Sequence, residues 1–170
     1  MPRLPDQEEL LPVPFNIFRA LGHAPTVTKG FSSMGSRLLN ETELDVRIRE
    51  LVINSISLKL HAPYEWSHHA KWLLDSGGST DDLEALKSGD LSSFTPLERA
   101  CLEYADKVED TTVTDADVEG LRKQGLSNRQ IVELTMLAGF YGMTARFLLA
   151  MDVQVDEGNP DNFALPEAVS

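Results

Sequence analysis

Cysteine is almost absent from this sequence, which contains only Cys101 in 170 residues. A single cysteine cannot form an intrachain disulfide, and this composition fits a reducing compartment such as the cytoplasm. Cys101 is followed by Leu102 in a predicted helix and has no base close to it in sequence. This pattern is typical of a small core residue rather than a nucleophile.

Positive charge is also scarce. The chain has 15 Lys and Arg residues against 27 Asp and Glu residues, which gives a formal net charge of −12. Such a surface repels phosphate backbones, and no cluster of Lys and Arg offsets the repulsion. The sequence therefore excludes nucleic acid as an expected partner.

Long hydrophobic runs are missing as well. No apolar run approaches the ~20 residues that a membrane-spanning helix requires, so we predict no membrane insertion. The first residues are acidic and lack the apolar segment of a signal peptide. These features together predict a cytoplasmic location.

No alternating pattern typical of a strand and no internal repeat is present, whereas helix signals are frequent. The length fits one domain, which we place over residues 1–170. The first 14 residues carry four prolines and predict an extended N-terminal arm, and residues 152–170 predict an extended C-terminal tail. Between them we expect an all-α bundle of about seven or eight helices.

Proton-transfer groups concentrate in the stretch from Glu50 to His69, which holds three of the four histidines. Pro63 divides this stretch into the end of one apolar helix and the beginning of the next. Glu65 and His69 are four residues apart, so we expect them on one helix face within reach of each other. A carboxylate beside an imidazole fixes the protonated ring nitrogen and suits proton transfer near neutral pH.

Glu50 lies on the preceding helix among aliphatic residues, where burial is expected to raise its pKa. Two carboxyl groups with different pKa values around one histidine form a plausible proton relay. We therefore predict Glu50, Glu65 and His69 as catalytic residues. The predicted substrate-binding residues are His68, Tyr64, Trp66 and Tyr141.

Each of these residues also has a structural interpretation. Glu65 occupies the first turn after Pro63, where acids interact with unpaired amides and the helix dipole. Glu50 could pair with Arg47 or Arg49 as a purely structural acid. His68 lies about 100° around the helix from His69, so it is expected at a pocket edge or a subunit contact.

A metal site is a further alternative, because His61, Glu65 and His69 have a spacing that resembles a ligand set. However, Pro63 forces Ala62 out of the helical conformation, so these side chains do not share one helix. The sequence contains no HExxH motif. We predict no metal ligands and no cofactor.

Two motifs carry a resemblance to a known family. An Arg-x-Arg-Glu-Leu sequence occupies residues 47–51, and a Tyr-Glu-Trp-x-x-His sequence occupies residues 64–69. A Thr-Pro-Leu-Glu-Arg-Ala helix start at 95–100 and a Gly-Phe-Tyr-Gly-Met sequence at 139–143 add to them. With these features the chain resembles the carboxymuconolactone decarboxylase-like, AhpD-like superfamily over most of its length.

The resemblance implies an all-α fold that assembles as homo-oligomers, either trimers or hexamers. Peroxidase-type members carry a Cys-x-x-Cys pair followed by a histidine, and the two cysteine positions correspond here to Ala62 and Glu65. The histidine corresponds to His69 and an upstream glutamate to Glu50. Because no thiol occupies this site, the resemblance implies that thiol peroxidase activity is absent.

Three functions stay open at this point. The first is a cofactor-free lyase or isomerase that acts on a small lactone or oxo-acid, for example by a 4-carboxymuconolactone decarboxylase-type reaction in aromatic catabolism. An acidic substrate would need a cationic anchor, for which Arg47, Arg49 and Arg146 are candidates. The second is a non-catalytic oligomeric protein that binds a small ligand in the family pocket. The third is a metal-dependent hydrolase or oxygenase.

Overall fold

The computed structural model describes residues 2–4, 15–157 and 165. Within these residues the chain forms α-helices, one short 3₁₀ turn and no strand, as the sequence predicts. The helices are α1 (Asn16–Leu21), α2 (Pro25–Asn40), α3 (Val46–Lys59), α4 (Pro63–Asp75), α5 (Thr80–Ser88), α6 (Pro96–Asp110), α7 (Asp115–Lys123) and α8 (Asn128–Met151), and the turn is Leu91–Ser93.

Helix α3 is the centre of the bundle and packs against α4, α5, α6 and α8. Its residues Leu51, Val52, Ile53 and Ile56 are almost completely buried. The helix begins at Val46, because the Asp45 side chain accepts hydrogen bonds from the amides of Arg47 and Ile48. Burial on several sides explains why α3 shows little separation of polar and apolar faces.

A tight turn joins α3 to α4. His61 adopts a left-handed conformation with φ 51°, and the Ala62 amide donates to the Ser57 carbonyl at 2.9 Å. Pro63 then starts α4, as the sequence predicts. The turn folds α4 back onto α3, so the two helices pack against each other.

Two of the later helices begin with side-chain caps. Thr95 with Glu98 begins α6, and Ser127 with Gln130 begins α8, each as a reciprocal capping box. These bonds satisfy helix-end amides and fix where each helix starts.

Helix α8 is long and apolar enough to cross a membrane by length and composition alone. Its inner face, including Leu134, Leu137 and Tyr141, is buried against the rest of the bundle, with contacts to α3 and α6. Its apolar content is therefore that of a core helix. Its outer face also exposes large apolar side chains: Val132, Met136, Met143 and Leu149.

Only part of the predicted arm and tail lies within the described residues. Arg3 hydrogen-bonds the carbonyls of Ala150 and Met151 at the end of α8. Residues 153–156 leave the helix and run along α1, where the Asn16 amide donates to Asp156 Oδ1 at 2.7 Å. The remainder of both predicted segments lies outside the described residues.

Candidate active site

A cavity of about 520 Å³ lies between α1, α2, α4 and α8. This size is within the range of small-molecule sites. Most of its wall is apolar. The lining includes two predicted catalytic residues, Glu65 and His69, and three predicted substrate-binding residues, Tyr64, His68 and Tyr141. The lining residues are Phe15, Ile17, Phe18, Phe31, Ser32, Gly35, Ser36, Leu39, Asn40, Tyr64, Glu65, His68, His69, Trp72, Phe140, Tyr141, Thr144 and Leu148.

His69 enters the cavity from α4 and is held from behind by Glu50 of α3. Its Nδ1 atom lies 2.7 Å from Glu50 Oε2, and both side chains are almost completely buried. An ionised carboxylate only accepts, so Nδ1 carries the proton and donates it to this hydrogen bond. In the neutral ring the lone pair is then on Nε2, on the ring edge that points away from Glu50.

Glu50 is charged, contrary to the sequence-based expectation. Burial alone would raise its pKa, but the hydrogen bond from His69 and the charge of Arg49 outweigh burial and hold the pKa below its usual value. Arg49 Nε donates to Glu50 Oε1 at 3.0 Å. Glu50 thus has both the Arg49 partner of the structural interpretation and the contact with His69.

Glu65 lies in the same cavity but has a different environment. It is 3% exposed, and among the described residues neither of its carboxyl oxygens has a hydrogen-bond partner. Burial raises its pKa well above the ordinary value of 4.5, and the nearby charge of Glu109 raises it further. Glu65 is therefore a neutral carboxylic acid at neutral pH.

This environment corrects two expectations for Glu65. Although Glu65 and His69 share a helix face, the histidine pairs with Glu50. Glu65 lies in the first turn of α4, yet its carboxyl group accepts no hydrogen bond from the helix-end amides. Capping of α4 therefore does not explain why a glutamate occupies position 65.

Glu109 of α6 supplies the second buried acid near Glu65. Its side chain is 3% exposed and forms an ion pair with Arg146 at 2.9 Å. A Cβ atom at Gly142 would come within 2.0 Å of the Glu109 carboxylate, so the glycine makes room for this acid beside α8. Arg146 is thus occupied by Glu109.

Aromatic rings surround His69 edge-on. Trp72 and Tyr141 both meet the imidazole in T-shaped contacts, with ring centroids 4.5 and 4.9 Å away. Burial and the charge of Glu50 raise the pKa of Tyr141 well above its usual value, so its hydroxyl stays protonated. These contacts fix the ring plane of His69.

Tyr64 and His68 also line the cavity, but both are tied to Asp156. The Tyr64 hydroxyl donates to Asp156 Oδ2 at 2.6 Å, and His68 Nε2 lies 2.9 Å from the same oxygen. The Asp156 hydrogen bond and charge act against burial, but burial prevails and lowers the pKa of His68, so the imidazole is neutral and Nε2 donates. Sequence reasoning missed Asp156, because it lies 88 residues from His68 and no local pattern connects them.

The structure does not bring Trp66 into the cavity. Its side chain is fully buried in the core, and Lys87 lies over its ring. The predicted substrate contact of Trp66 does not fit this placement. Trp72 lines the cavity instead, and its position three residues after His69 on the same helix is the signal that could have identified it.

The residues proposed for metal or thiol chemistry lie apart. His61 is exposed in the turn before α4, away from Glu65 and His69. Among the residues that the structure describes, no group of three His, Cys, Asp or Glu side chains is arranged to hold a metal ion. Cys101 is buried in the core, where burial and the charge of Glu98 raise its pKa to about 12.

Comparison with known proteins agrees with this fold. Residues 25–107 match the model of the Carboxymuconolactone decarboxylase family. No curated protein matches the sequence. A solved structure of an uncharacterized peroxidase-related protein from Silicibacter sp. TM1040 is 22% identical, with a TM-score of 0.78 over 87% of this chain and 80% of that chain.

Two other solved structures extend the comparison. The alkylhydroperoxidase AhpD core protein from Ralstonia eutropha JMP134, also described as peroxidase-related, is 22% identical, with a TM-score of 0.76 over 87% of this chain and 78% of that one. A debrominase, Bmp8, in complex with 2,3,4-tribromopyrrole is 19% identical, with a TM-score of 0.69 over 85% of this chain and 78% of that one. Residues 25–107 are therefore similar to the Carboxymuconolactone decarboxylase family, and the chain shares the all-α fold of these AhpD-like structures.

Proposed function

We propose that this protein is a cofactor-free enzyme that moves protons on a small carbonyl compound such as a lactone, as an isomerase or lyase. One observation carries the proposal. The Glu50–His69 pair leaves the other imidazole nitrogen, Nε2, free of Glu50, and the same cavity holds the buried carboxyl group of Glu65, which has no hydrogen-bond partner among the described residues. An imidazole base and a protonated carboxyl group in one cavity are what proton transfer near neutral pH requires.

The proposed reaction begins when His69 Nε2 takes a proton from the carbon next to a carbonyl group. The electron pair of that C–H bond moves into the carbonyl, and the oxygen becomes an enolate. Glu65 donates a hydrogen bond to this oxygen, which stabilises the developing negative charge. The proton on His69 Nε2 exchanges with solvent, and His69 then protonates a different carbon of the enolate, so the double bond moves and no cofactor is consumed.

The carboxy-lyase reaction in the family name would use the same intermediate. There a substrate carboxylate leaves as CO₂, its bonding electron pair forms the enolate, and Glu65 supplies the proton that carbon then takes up. Isomerisation fits the cavity better, because it needs no anchor for an anionic substrate.

The test uses α-angelica lactone, an uncharged enol lactone with acidic protons beside its carbonyl. In D₂O the enzyme should convert it to the conjugated lactone faster than buffer does, with deuterium at the newly protonated carbon. Proton NMR follows both changes. A rate equal to that of buffer would contradict the proposal.

The alternative is a non-catalytic protein that binds small ligands, and one observation favours it. Two of the predicted binding residues, Tyr64 and His68, are occupied by Asp156. This alternative predicts that the lactone binds, as seen by saturation-transfer NMR, without any isomerisation.

Homo-oligomer formation belongs to the same proposal, with the outer face of α8 as the contact. Met136 is 45% exposed and Met143 51% exposed, and together with Val132 they lie along one side of the helix. Exposed apolar stripes of this kind are typical of subunit contacts. A cytoplasmic location is proposed with it, since the single cysteine fits a reducing compartment.

Replacing Met143 by glutamate is expected to dissociate the oligomer, because a carboxylate would be desolvated in the contact. Light scattering coupled to size exclusion measures the mass of the assembly. Lys123→Glu on the exposed surface of α7 is the control and should leave the mass unchanged. Equal masses for wild type and Met143→Glu would exclude this face as the contact.

A further inference from the structure

The cavity has no cationic side chain in its wall. Among the described residues that line it there is no lysine and no arginine, although two acids, Glu65 and the Glu50 behind His69, lie at its inner end. A ligand carboxylate placed there would lose its hydration without gaining a counter-ion. The wall therefore disfavours an anion.

The arginines that sequence analysis proposed as anchors are all bound to acids. Arg49 donates to Glu50. Arg47 forms hydrogen bonds with Asp82 and Glu98, at 2.7 Å to each, and is not part of the wall. Arg146 pairs with Glu109 and is likewise outside the wall. The positive charge of each of these arginines is therefore already balanced by a neighbouring carboxylate.

The polar groups inside the cavity are mostly occupied too. The Tyr64 hydroxyl and His68 Nε2 donate to Asp156, and the Thr144 hydroxyl donates to the Phe140 carbonyl. At the buried inner end, the protonated carboxyl group of Glu65 and the Nε2 lone pair of His69 remain for a ligand, with the Tyr141 hydroxyl beside them, while Ser36 and Asn40 are exposed. The first requires an acceptor such as a carbonyl oxygen, and the second requires an acidic hydrogen.

The rest of the wall is suited to a ring. Phe31 and Phe140 lie with their ring centroids 4.9 Å apart, Tyr141 meets Phe140 edge-on at 5.6 Å, and Trp72 and Tyr141 both contact His69. The volume of about 520 Å³ exceeds what one small ring fills, so a fused or substituted ring can enter. Aromatic walls gain contact area with such a flat, apolar body.

We infer that the substrate is an uncharged, ring-bearing carbonyl compound, bound with its carbonyl oxygen at Glu65 and its acidic C–H at His69. The inference rests on the proposed function and narrows it. It separates lactones and cyclic ketones, which the cavity accepts, from their free carboxylates, which it rejects. The oxo-acids and acidic lactones expected from the resemblance fall in the rejected group.

The experiment compares two probes of nearly equal shape, 3-acetylcoumarin and coumarin-3-carboxylate. Both are bicyclic lactones, and at neutral pH only the second is charged. Isothermal titration calorimetry with the full chain should give a dissociation constant at least about tenfold lower for 3-acetylcoumarin, because the carboxylate is desolvated without a counter-ion. Equal or tighter binding of the carboxylate would overturn the inference, as would failure of both probes to bind.

A pair of variants tests the electrostatic cause directly. Ser36 is exposed and lines the cavity, so Ser36→Arg places a guanidinium at its mouth and should narrow the preference for 3-acetylcoumarin. Ser33 is exposed on the same helix but is not part of the wall, so Ser33→Arg should retain the wild-type preference. If both variants change the preference equally, the cause is net charge and the inference fails.

This result is independent of catalysis. Absence of lactone isomerisation with an intact preference for the uncharged probe would overturn the proposed function alone. Isomerisation of α-angelica lactone together with tighter binding of the carboxylate probe would overturn only the inference about the substrate.

Discussion

Replacing His69 by alanine is expected to lower the rate of lactone isomerisation by about 10²- to 10⁴-fold, the usual contribution of a positioned general base. The variant keeps Glu65 and the apolar wall, so ligand binding should change far less than turnover. His61→Asn is the matched control, since His61 is exposed and has φ 51°, a conformation that asparagine tolerates. A His69→Ala enzyme with a wild-type rate would remove His69 from the mechanism.

Glu50 contacts His69 and not the cavity, so it acts as a positioning residue. Glu50→Gln keeps the shape but removes the carboxylate that fixes the proton on Nδ1 of His69. The ¹⁵N NMR spectrum of His69 should therefore show a protonated Nδ1 in the wild type and lose this signature in the variant, together with activity. An unchanged tautomer with reduced activity would indicate only a structural role for Glu50.

Replacing Glu65 by glutamine is expected to change how stability depends on pH. Below about pH 4.5 the carboxyl group is protonated in both the folded and the unfolded chain. Above that pH the unfolded chain releases the proton while the buried folded form retains it. Wild-type stability relative to the Glu65→Gln variant should therefore fall by up to about 1.4 kcal/mol per pH unit, until the raised folded pKa is reached.

Urea unfolding of both proteins at a series of pH values measures this difference. Other titrating groups, such as Asp82 with its pKa lowered to about 2 beside Arg47, contribute equally to both proteins and cancel. Glu103→Gln, at an exposed position on α6, should retain the wild-type slope. Parallel stability curves for wild type and Glu65→Gln would show that Glu65 is not a buried neutral acid.

The two predictions examine the two halves of the site separately. His69→Ala tests the base, while the pH dependence of Glu65→Gln tests the acid without needing a substrate. Since proton transfer requires both groups in complementary states, failure of either one is sufficient to reject the proposed reaction.

The sequence by itself determined the helical architecture and the place of the site. Capping residues such as Thr95 and Ser127 and the helix-starting Pro63 act through neighbours a few positions away, so their effect is visible in the local pattern. The i, i+4 spacing of Glu65 and His69 likewise placed both on one helix face, and both line the cavity.

Only the tertiary structure decided the partners and the charge states. Because α4 packs on α3, His69 hydrogen-bonds Glu50, and the carboxyl group of Glu65 has no hydrogen-bond partner among the described residues. The protonation states of the two acids are therefore the reverse of those expected. The tail residue Asp156 and the core position of Trp66 were equally invisible in the local pattern. Hydrogen bonding and desolvation depend on which side chains meet across helices, and that information is absent from the spacing within any one helix.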